Sequence, residues 1–291
     1  MDTTAYDNLV KFWRKYIDKG WKDIHPDDHL PEDFSVANIT GISEYVESRY
    51  FLDKGTTIYS RLLPAPYCGD LMNAKVYFLL LNPGFAPIDL YLEEKDQACI
   101  ETLKKNLAQE ETEDPFMPLN PSFCWTSGAT WWFKKLKPVF ELYRKGGKNN
   151  FYACKDMSKK IAALELFPYH SASFHQSKKL GEIESVKLIK AFAKGLSKDK
   201  SKLLIVMRQI DEWKLEEAEN AMVFPPKYAQ SGSLNTPVTE MEHHPGARKN
   251  KSPPVNADDK ESTVAHLIYE YLKEGRGEQL NHNSAFSASS A

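Results

Sequence analysis

The sequence predicts an α/β protein: a three-layer α/β/α sandwich around a central, mostly parallel, four-stranded sheet. Two observations carry this. Residues 76–81, 161–167, 203–207 and 221–224 are apolar runs of strand length, interrupted only by Glu165. Such runs, unlike alternating ones, mark strands covered on both faces. Stretches of helical spacing lie between them, and strands alternating with helices imply parallel crossover units. At 291 residues and 42% hydrophobic, the chain can bury one sizeable core.

The elements follow in order. Leu9, Val10, Phe12, Trp13, Tyr16 and Ile17 recur at helical spacing, so residues 6–20 form an amphipathic helix. His25-Pro26-Asp27-Asp28-His29 superficially resembles a metal cluster, but its pattern favours a solvated turn. Helical character returns over about 41–53, and Pro64 and Pro66 mark a loop leading to the first strand. That strand stops at Asn82-Pro83-Gly84-Phe85, where proline fixes one torsion and glycine allows close approach or a positive φ. Residues 93–114 are acidic and helix-prone, with a solvated face expected. The loop 120–130, rich in aromatic and small residues, enters a helix running to about Tyr143, ended by Gly146-Gly147. The second strand, 161–167, stops at Pro168-Tyr169-His170-Ser171. A helix over 181–196, a third strand at 203–207, a short helix around Trp213 and a fourth strand at 221–224 complete the pattern. Residues 242–260 read as loop, including His243-His244-Pro245, which lack a spaced carboxylate or cysteine partner for a metal. A last helix covers 261–273. The expected organisation is a helical elaboration over 1–60, the α/β domain over 61–275 and a polar, disordered tail over 276–291.

The net charge of −2 supplies no general attraction to nucleic acid, so a polyanion would need a local basic patch. Cys68, Cys99, Cys124 and Cys154 form no C-x-x-C pair. They suggest neither a disulfide framework nor a zinc ribbon, and a reducing cytosol is expected. No apolar run reaches the roughly 18 residues that span a bilayer, and the N-terminus is not a signal peptide. A cytoplasmic monomer without metal or cofactor is the expectation.

In a doubly covered sheet the loops after successive strands gather along one edge. Asn82, the Pro168–Ser171 turn, Arg208 and the loop 230–235 should therefore converge. Strand-Asn82-Pro83-Gly84, then Phe123 ahead of an aromatic helix, strand-Glu165-Leu166-Phe167-Pro168, Leu204-Ile205-Val206-Met207 and a Ser/Asn-rich loop together resemble the uracil-DNA glycosylase superfamily. The likeness covers roughly residues 76–240 and is nearest the mismatch-specific and single-strand-selective branches, whose first motif is also strand-Asn-Pro-Gly. Two departures matter. The final motif, usually His or Asn followed by Pro-Ser, is represented by Gln230-Ser231-Gly232-Ser233-Leu234-Asn235. The position that commonly reads uracil with an asparagine holds Glu165.

The resemblance implies a monofunctional DNA glycosylase that flips a base and cleaves its glycosidic bond with water, in repair or in defence against phage with modified DNA. No lysine is placed by motif for Schiff-base chemistry. Asn82 would orient the water, and His170 could stabilise an anionic leaving base. Asn82 could instead cap the following segment, and His170 could be a hydrogen-bonded loop residue. Phe123, with Phe85 and Trp125 next, would stack a flipped base, unless these are core aromatics under a long loop. For Trp131, Trp132 and Phe133, core packing is the better reading. Glu165, if ionised and facing the pocket, would accept from an exocyclic amine and favour a cytosine-type base, including a modified one. It could equally face away or pair with a lysine. Gly84 would admit the ligand, Tyr169 could touch base or phosphate, and Arg208 could hold a phosphate or pair with Asp211 or Glu212. Ser231, Ser233 and Asn235 suit backbone phosphates, or simply build turns. Two other readings stay open: a non-catalytic nucleic-acid or nucleotide-binding module, and a hydrolase of a small nucleotide-like substrate.

Overall fold

The structure, a computed structural model, describes residues 3–21, 23–208, 210–215, 218–224, 233–241 and 263–273. In chain order the elements are α1 (Thr3–Asp18), β1 (Val36–Ala37), α2 (Ile42–Glu47), β2 (Ile58–Tyr59), β3 (Tyr67–Gly69) and β4 (Val76–Leu80). Then come α3 (Pro87–Lys95), α4 (Gln97–Leu107), α5 (Ser127–Lys145), α6 (Asn150–Ser158), β5 (Ile161–Glu165) and α7 (Glu184–Leu196). The chain continues through β6 (Leu203–Val206), α8 (Ile210–Trp213), β7 (Ala221–Val223) and α9 (Val264–Leu272).

The main sheet has five strands in the order β3-β5-β4-β6-β7. The four expected apolar runs form its parallel part. The expectation of four strands is corrected by β3, which pairs antiparallel with β5 along one edge. Only three residues long and preceded by Pro64 and Pro66, it has no sequence period of its own, and prolines beside a strand suit an edge. Gly69 closes it at φ 102°, and a Cβ there would lie 2.5 Å from the Ile161 carbonyl oxygen. Glycine is what lets this edge lie flat on β5.

Side chains alternate across the sheet. Val76 and Phe78 of β4 face a layer built from α5, α6 and α9, among them Trp132, Leu136, Met157 and Ile268. Tyr77 and Leu79 face the other layer, where Leu9, Trp13 and Tyr16 of α1 meet Ile189 and Phe192 of α7. Helices thus cover both faces, and each large apolar side chain so buried contributes about 1.5–3 kcal/mol. The N-terminal region is therefore part of the same core. It is also not purely helical, because β1 and β2 form a separate parallel pair.

Two surface expectations are corrected by burial. His25 and Asp28, read as a solvated turn, are 1% and 5% exposed. The Tyr169 hydroxyl donates to Asp28 Oδ2 at 2.6 Å and accepts from the His25 backbone N–H at 3.0 Å. Asp28 Oδ1 accepts from the Ser185 N–H at the start of α7. The His25 ring stacks on Phe12, its Nδ1 accepts from the Asp27 N–H, and its Nε2 faces the Phe12 carbonyl. That pattern is satisfied by a neutral ring protonated on Nε2, and burial lowers the His25 pKa accordingly. The motif locks α1, α7 and the turn after β5 together.

The acidic stretch is likewise only partly a solvated face. Asp96 caps α4 by accepting from the Cys99 N–H. Asp114 is buried against Lys155 at 2.6 Å. Glu93 accepts from the Leu63 N–H at 2.5 Å, and burial pushes its carboxyl up to about 8.

Candidate functional site

The strand order places the site. From β4 the chain goes to β5 on one side, then crosses to β6 on the other. In open α/β sheets ligands bind outside the carboxyl ends of the strands, at the point where the order reverses. Asn82 leaves β4, Glu165 ends β5 and Arg208 follows β6, so all three stand along that edge.

Asn82 is half-buried and pinned between two strand-end loops. Its Nδ2 donates to the Ser171 carbonyl at 3.1 Å, to Ser171 Oγ at 3.0 Å and to the Pro83 carbonyl at 3.2 Å. Two carbonyl acceptors on one side fix the amide's orientation. The Oδ1 therefore points the other way, and among the described residues no donor meets it. An oriented amide oxygen open to solvent is an acceptor for one water or one ligand N–H.

Glu165 is the most unusual group on this edge. It pairs in register with Leu80 and shares the α5 face of the sheet with Val76, Phe78, Ala163 and Met207. Its Oε2 is buried with no hydrogen-bond partner. Burial pushes the carboxyl well above the ordinary carboxylate range, and the Arg208 charge only partly opposes this. Burial therefore favours the neutral acid over the ionised acceptor expected, and a neutral carboxyl offers one donor and one acceptor side by side. The lysine-pairing alternative is also answered, since no lysine bonds it among the described residues.

Other anticipated residues sit differently. Each ring nitrogen of His170 faces a backbone carbonyl, Nδ1 that of Gly84 at 2.9 Å and Nε2 that of Leu63 at 3.0 Å. The ring clamps the Asn82 loop to the 62–63 segment, which Glu93 in turn holds through Leu63, and no ring nitrogen is left for a leaving base. Tyr169 belongs to the buried hub beside Asp28, away from solvent. Phe123 is packed among Leu92, Cys99 and Met117, so its ring is core, not a platform. Phe85 is half-buried, with one face stacked on Tyr59 at 3.7 Å. Gly84 is exposed, has no positive φ and has open space where a Cβ would project, so no backbone strain requires glycine there. Trp125 is 46% exposed, its indole N–H donating to the Ser122 carbonyl. Trp131, expected in the core with Trp132 and Phe133, is instead 38% exposed. Ser233 and Asn235 are exposed on a segment tied to α9 through Ala265 N–H and the Leu234 carbonyl, with no described bond to Asn82 or Glu165. Ser231 lies outside the described residues.

Sequence reasoning overlooked four contributors. Ser171 orients Asn82. Asp89 accepts from the Ala86 N–H at 2.7 Å and from Ser127 Oγ at 2.6 Å, tying the Asn82 loop to the start of α5. Lys135 lies over the Trp131 ring at 5.3 Å and close enough to Arg208 for their charges to repel. Cys68 of β3 pairs in register with Ala163, two residues before Glu165. Only Lys135 had a legible signal: residues 127–160 carry nine Lys and Arg against two Asp and Glu.

Among the described residues no group of three His, Cys, Asp or Glu could hold a metal ion, and no helix is long and apolar enough to cross a membrane. A groove of about 420 Å³ runs along α1, lined by Tyr6, Lys11, Arg14 and Lys15 among others, and shares no residue with the sheet edge. We favour the edge, because there, at a reversal of strand order, an acid with an unpartnered buried oxygen and an oriented amide stand at the ends of neighbouring strands. Comparison of the chain with protein-family models, with curated proteins and with solved structures finds no match.

Proposed function

We propose that the chain is a monofunctional DNA glycosylase of the uracil-DNA glycosylase kind, reading a flipped pyrimidine with neutral Glu165 and aiming a water with Asn82. The observation that carries this reading is the buried, unpartnered Glu165 Oε2 at the strand end beside the Asn82 loop. A buried polar group without a partner costs about 1–3 kcal/mol, and a ligand that satisfies it recovers that cost. A neutral carboxyl donates and accepts at adjacent atoms. It matches the N3 and N4 edge of cytosine and, equally, the N3–H and O4 edge of uracil. With a neutral acid the preference for cytosine-type bases is no longer exclusive, and modified cytosines stand beside uracil as substrates.

In this reading the Asn82 amide oxygen accepts a hydrogen bond from the attacking water and positions it. An amide is a poor general base, so rate comes from positioning and from stabilising the departing base. Arg208, exposed beside Glu165, would hold a flanking phosphate. The competing reading, a binding module without catalysis, is favoured by one fact: the two ring nitrogens of His170 are committed to backbone carbonyls.

The test is mass-spectrometric detection of bases released from oligonucleotides that carry uracil, cytosine or modified cytosines. Asn82→Ala should abolish release and preserve binding. Glu165→Gln, which keeps a donor and an acceptor, should retain release, and Glu165→Ala should lose it. Binding without release by the unaltered protein on every substrate would leave the non-catalytic reading standing.

A further inference from the structure

Acidic and basic charge are segregated in this chain. Residues 93–114 hold eight Asp and Glu against three Lys, whereas residues 127–160 hold nine Lys and Arg against two acids. The basic segment is α5, α6 and the turn between them. Lys134, Lys137 and Lys145 lie on the solvent side of α5, and Lys148 stands in the turn that follows. Offsets of three and eight residues keep Lys134, Lys137 and Lys145 on one face at 3.6 residues per turn. Lys134, Lys137 and Lys145 make no ion pair among the described residues, so like charges face one another along the helix. Natural surfaces ordinarily dilute such a row with acids; here the single intervening acid, Glu141, is 3.8 Å from Arg144.

Aromatic rings are interleaved with these cations. Trp131 begins the row, exposed, with Lys135 over it. Tyr152, 45% exposed, ends it with Lys148 at 4.6 Å from its ring. Cations in a row with exposed rings beside them are the equipment of single-strand binders: charge tracks the backbone, and rings stack unpaired bases. The row also begins at the candidate site, because Ser127 at the start of α5 donates to Asp89, which in turn holds the Asn82 loop through the Ala86 N–H. Residues 131–145 span about 21 Å at 1.5 Å per residue, enough for several nucleotides.

We infer that the outer face of α5 with the turn and first residues of α6 that follow, from Trp131 through Lys134, Lys137, Lys145 and Lys148 to Tyr152, is a track for a single strand of nucleic acid leading away from the Glu165 edge. This track rests on the glycosylase reading for its direction, but not for its binding chemistry.

The experiment measures binding of the full chain to fluorescein-labelled oligothymidylates of about 20 and about 4 nucleotides, by anisotropy, over roughly 0.05–0.2 M salt. The variant is Lys134→Ala/Lys137→Ala/Lys145→Ala/Lys148→Ala, with the four Lys→Arg changes as a charge-conserving control. Each lost phosphate contact removes about 0.7 from the slope of log affinity against log salt for a single strand. The alanine variant should therefore lose about 3 units of slope and several-hundred-fold in affinity at ~0.1 M salt for the longer probe. The short probe should bind unchanged, and the arginine control should behave like the parent. An unchanged slope for the long probe overturns the track. So does equal loss for both probes, binding of phosphatidylserine vesicles in place of oligothymidylate, or self-association abolished by the alanine variant with no oligonucleotide binding. Base release is measured alongside. A parent that binds along the track but releases no base refutes the glycosylase reading alone; release with no dependence of binding on the four lysines refutes the track alone.

Discussion

Replacing Glu165 by methionine should make the protein more stable while removing its base-reading group. The side chain ends β5 with Oε2 buried and without a partner. An unsatisfied buried polar atom costs about 1–3 kcal/mol. Methionine has nearly the same length, bends to fill irregular space and adds no polar atom. Loss of shape complementarity should cost less than about 1.5 kcal/mol. The balance is a gain of about 1–2 kcal/mol, or roughly 2–6 °C in Tm for a chain of this size. The gain should also grow with pH. The folded-state pKa of Glu165 is raised above its ordinary 4.5, so the folded state binds the proton more tightly than the unfolded chain. Its stability is then complete below 4.5 and falls as pH rises through the folded pKa, by up to about 1.4 kcal/mol per pH unit. The methionine variant lacks this loss. Urea unfolding of both proteins at several pH values measures the gap directly. A variant destabilised by about 3–5 kcal/mol, as when a buried ion pair is broken, would show that the acid is ionised and paired with Arg208, and the neutral-reader argument would fail.

Two further perturbations address the frame around the site. Tyr169→Phe strips the hydroxyl from between Asp28 Oδ2 and the His25 N–H; a loss of about 2–4 kcal/mol is expected by urea unfolding, and a loss under about 0.5 kcal/mol would dismiss the hub. The second is acid sensitivity. The folded-state pKa of His25 lies below its ordinary 6.5 because of burial, so its contribution is present above 6.5 and lost as pH falls through the folded pKa. Asp28, Glu93 and Glu165 titrate with raised pKa values and act in the opposite sense, so the quantity to measure is the difference between parent and His25→Gln. That difference should shrink as the solution is acidified below 6.5, and a difference independent of pH would contradict a neutral buried ring.

Much of the scaffold was legible from local pattern. The four apolar runs became parallel strands because a run of that length without alternation can only be buried on both faces. The Asn82-Pro83-Gly84 and Pro168–Ser171 stops fell at strand ends, and their loops meet through Asn82 and Ser171 as expected. The edge strand β3 was not legible, since three residues after two prolines carry no period. The His25–His29 segment was misread because its residue types are those of a solvated turn, and only contact with Tyr169 and Ser185, more than a hundred residues away, buries it. Phe123 and Trp131 exchanged their expected places for the same reason: an aromatic residue says that a ring will be used, not which side of its helix or loop meets the core.

The chain's local chemistry determined where strands begin and stop, which polar residues stand at those stops, and that one helical hairpin is basic, because period, turn residues and charge are properties of neighbours in sequence. Tertiary structure alone decided the order of the strands, the face on which Glu165 lies and the upward push on its carboxyl pKa. Those depend on desolvation by residues remote in the chain, and the free energy of a buried carboxyl is set by what surrounds it in space.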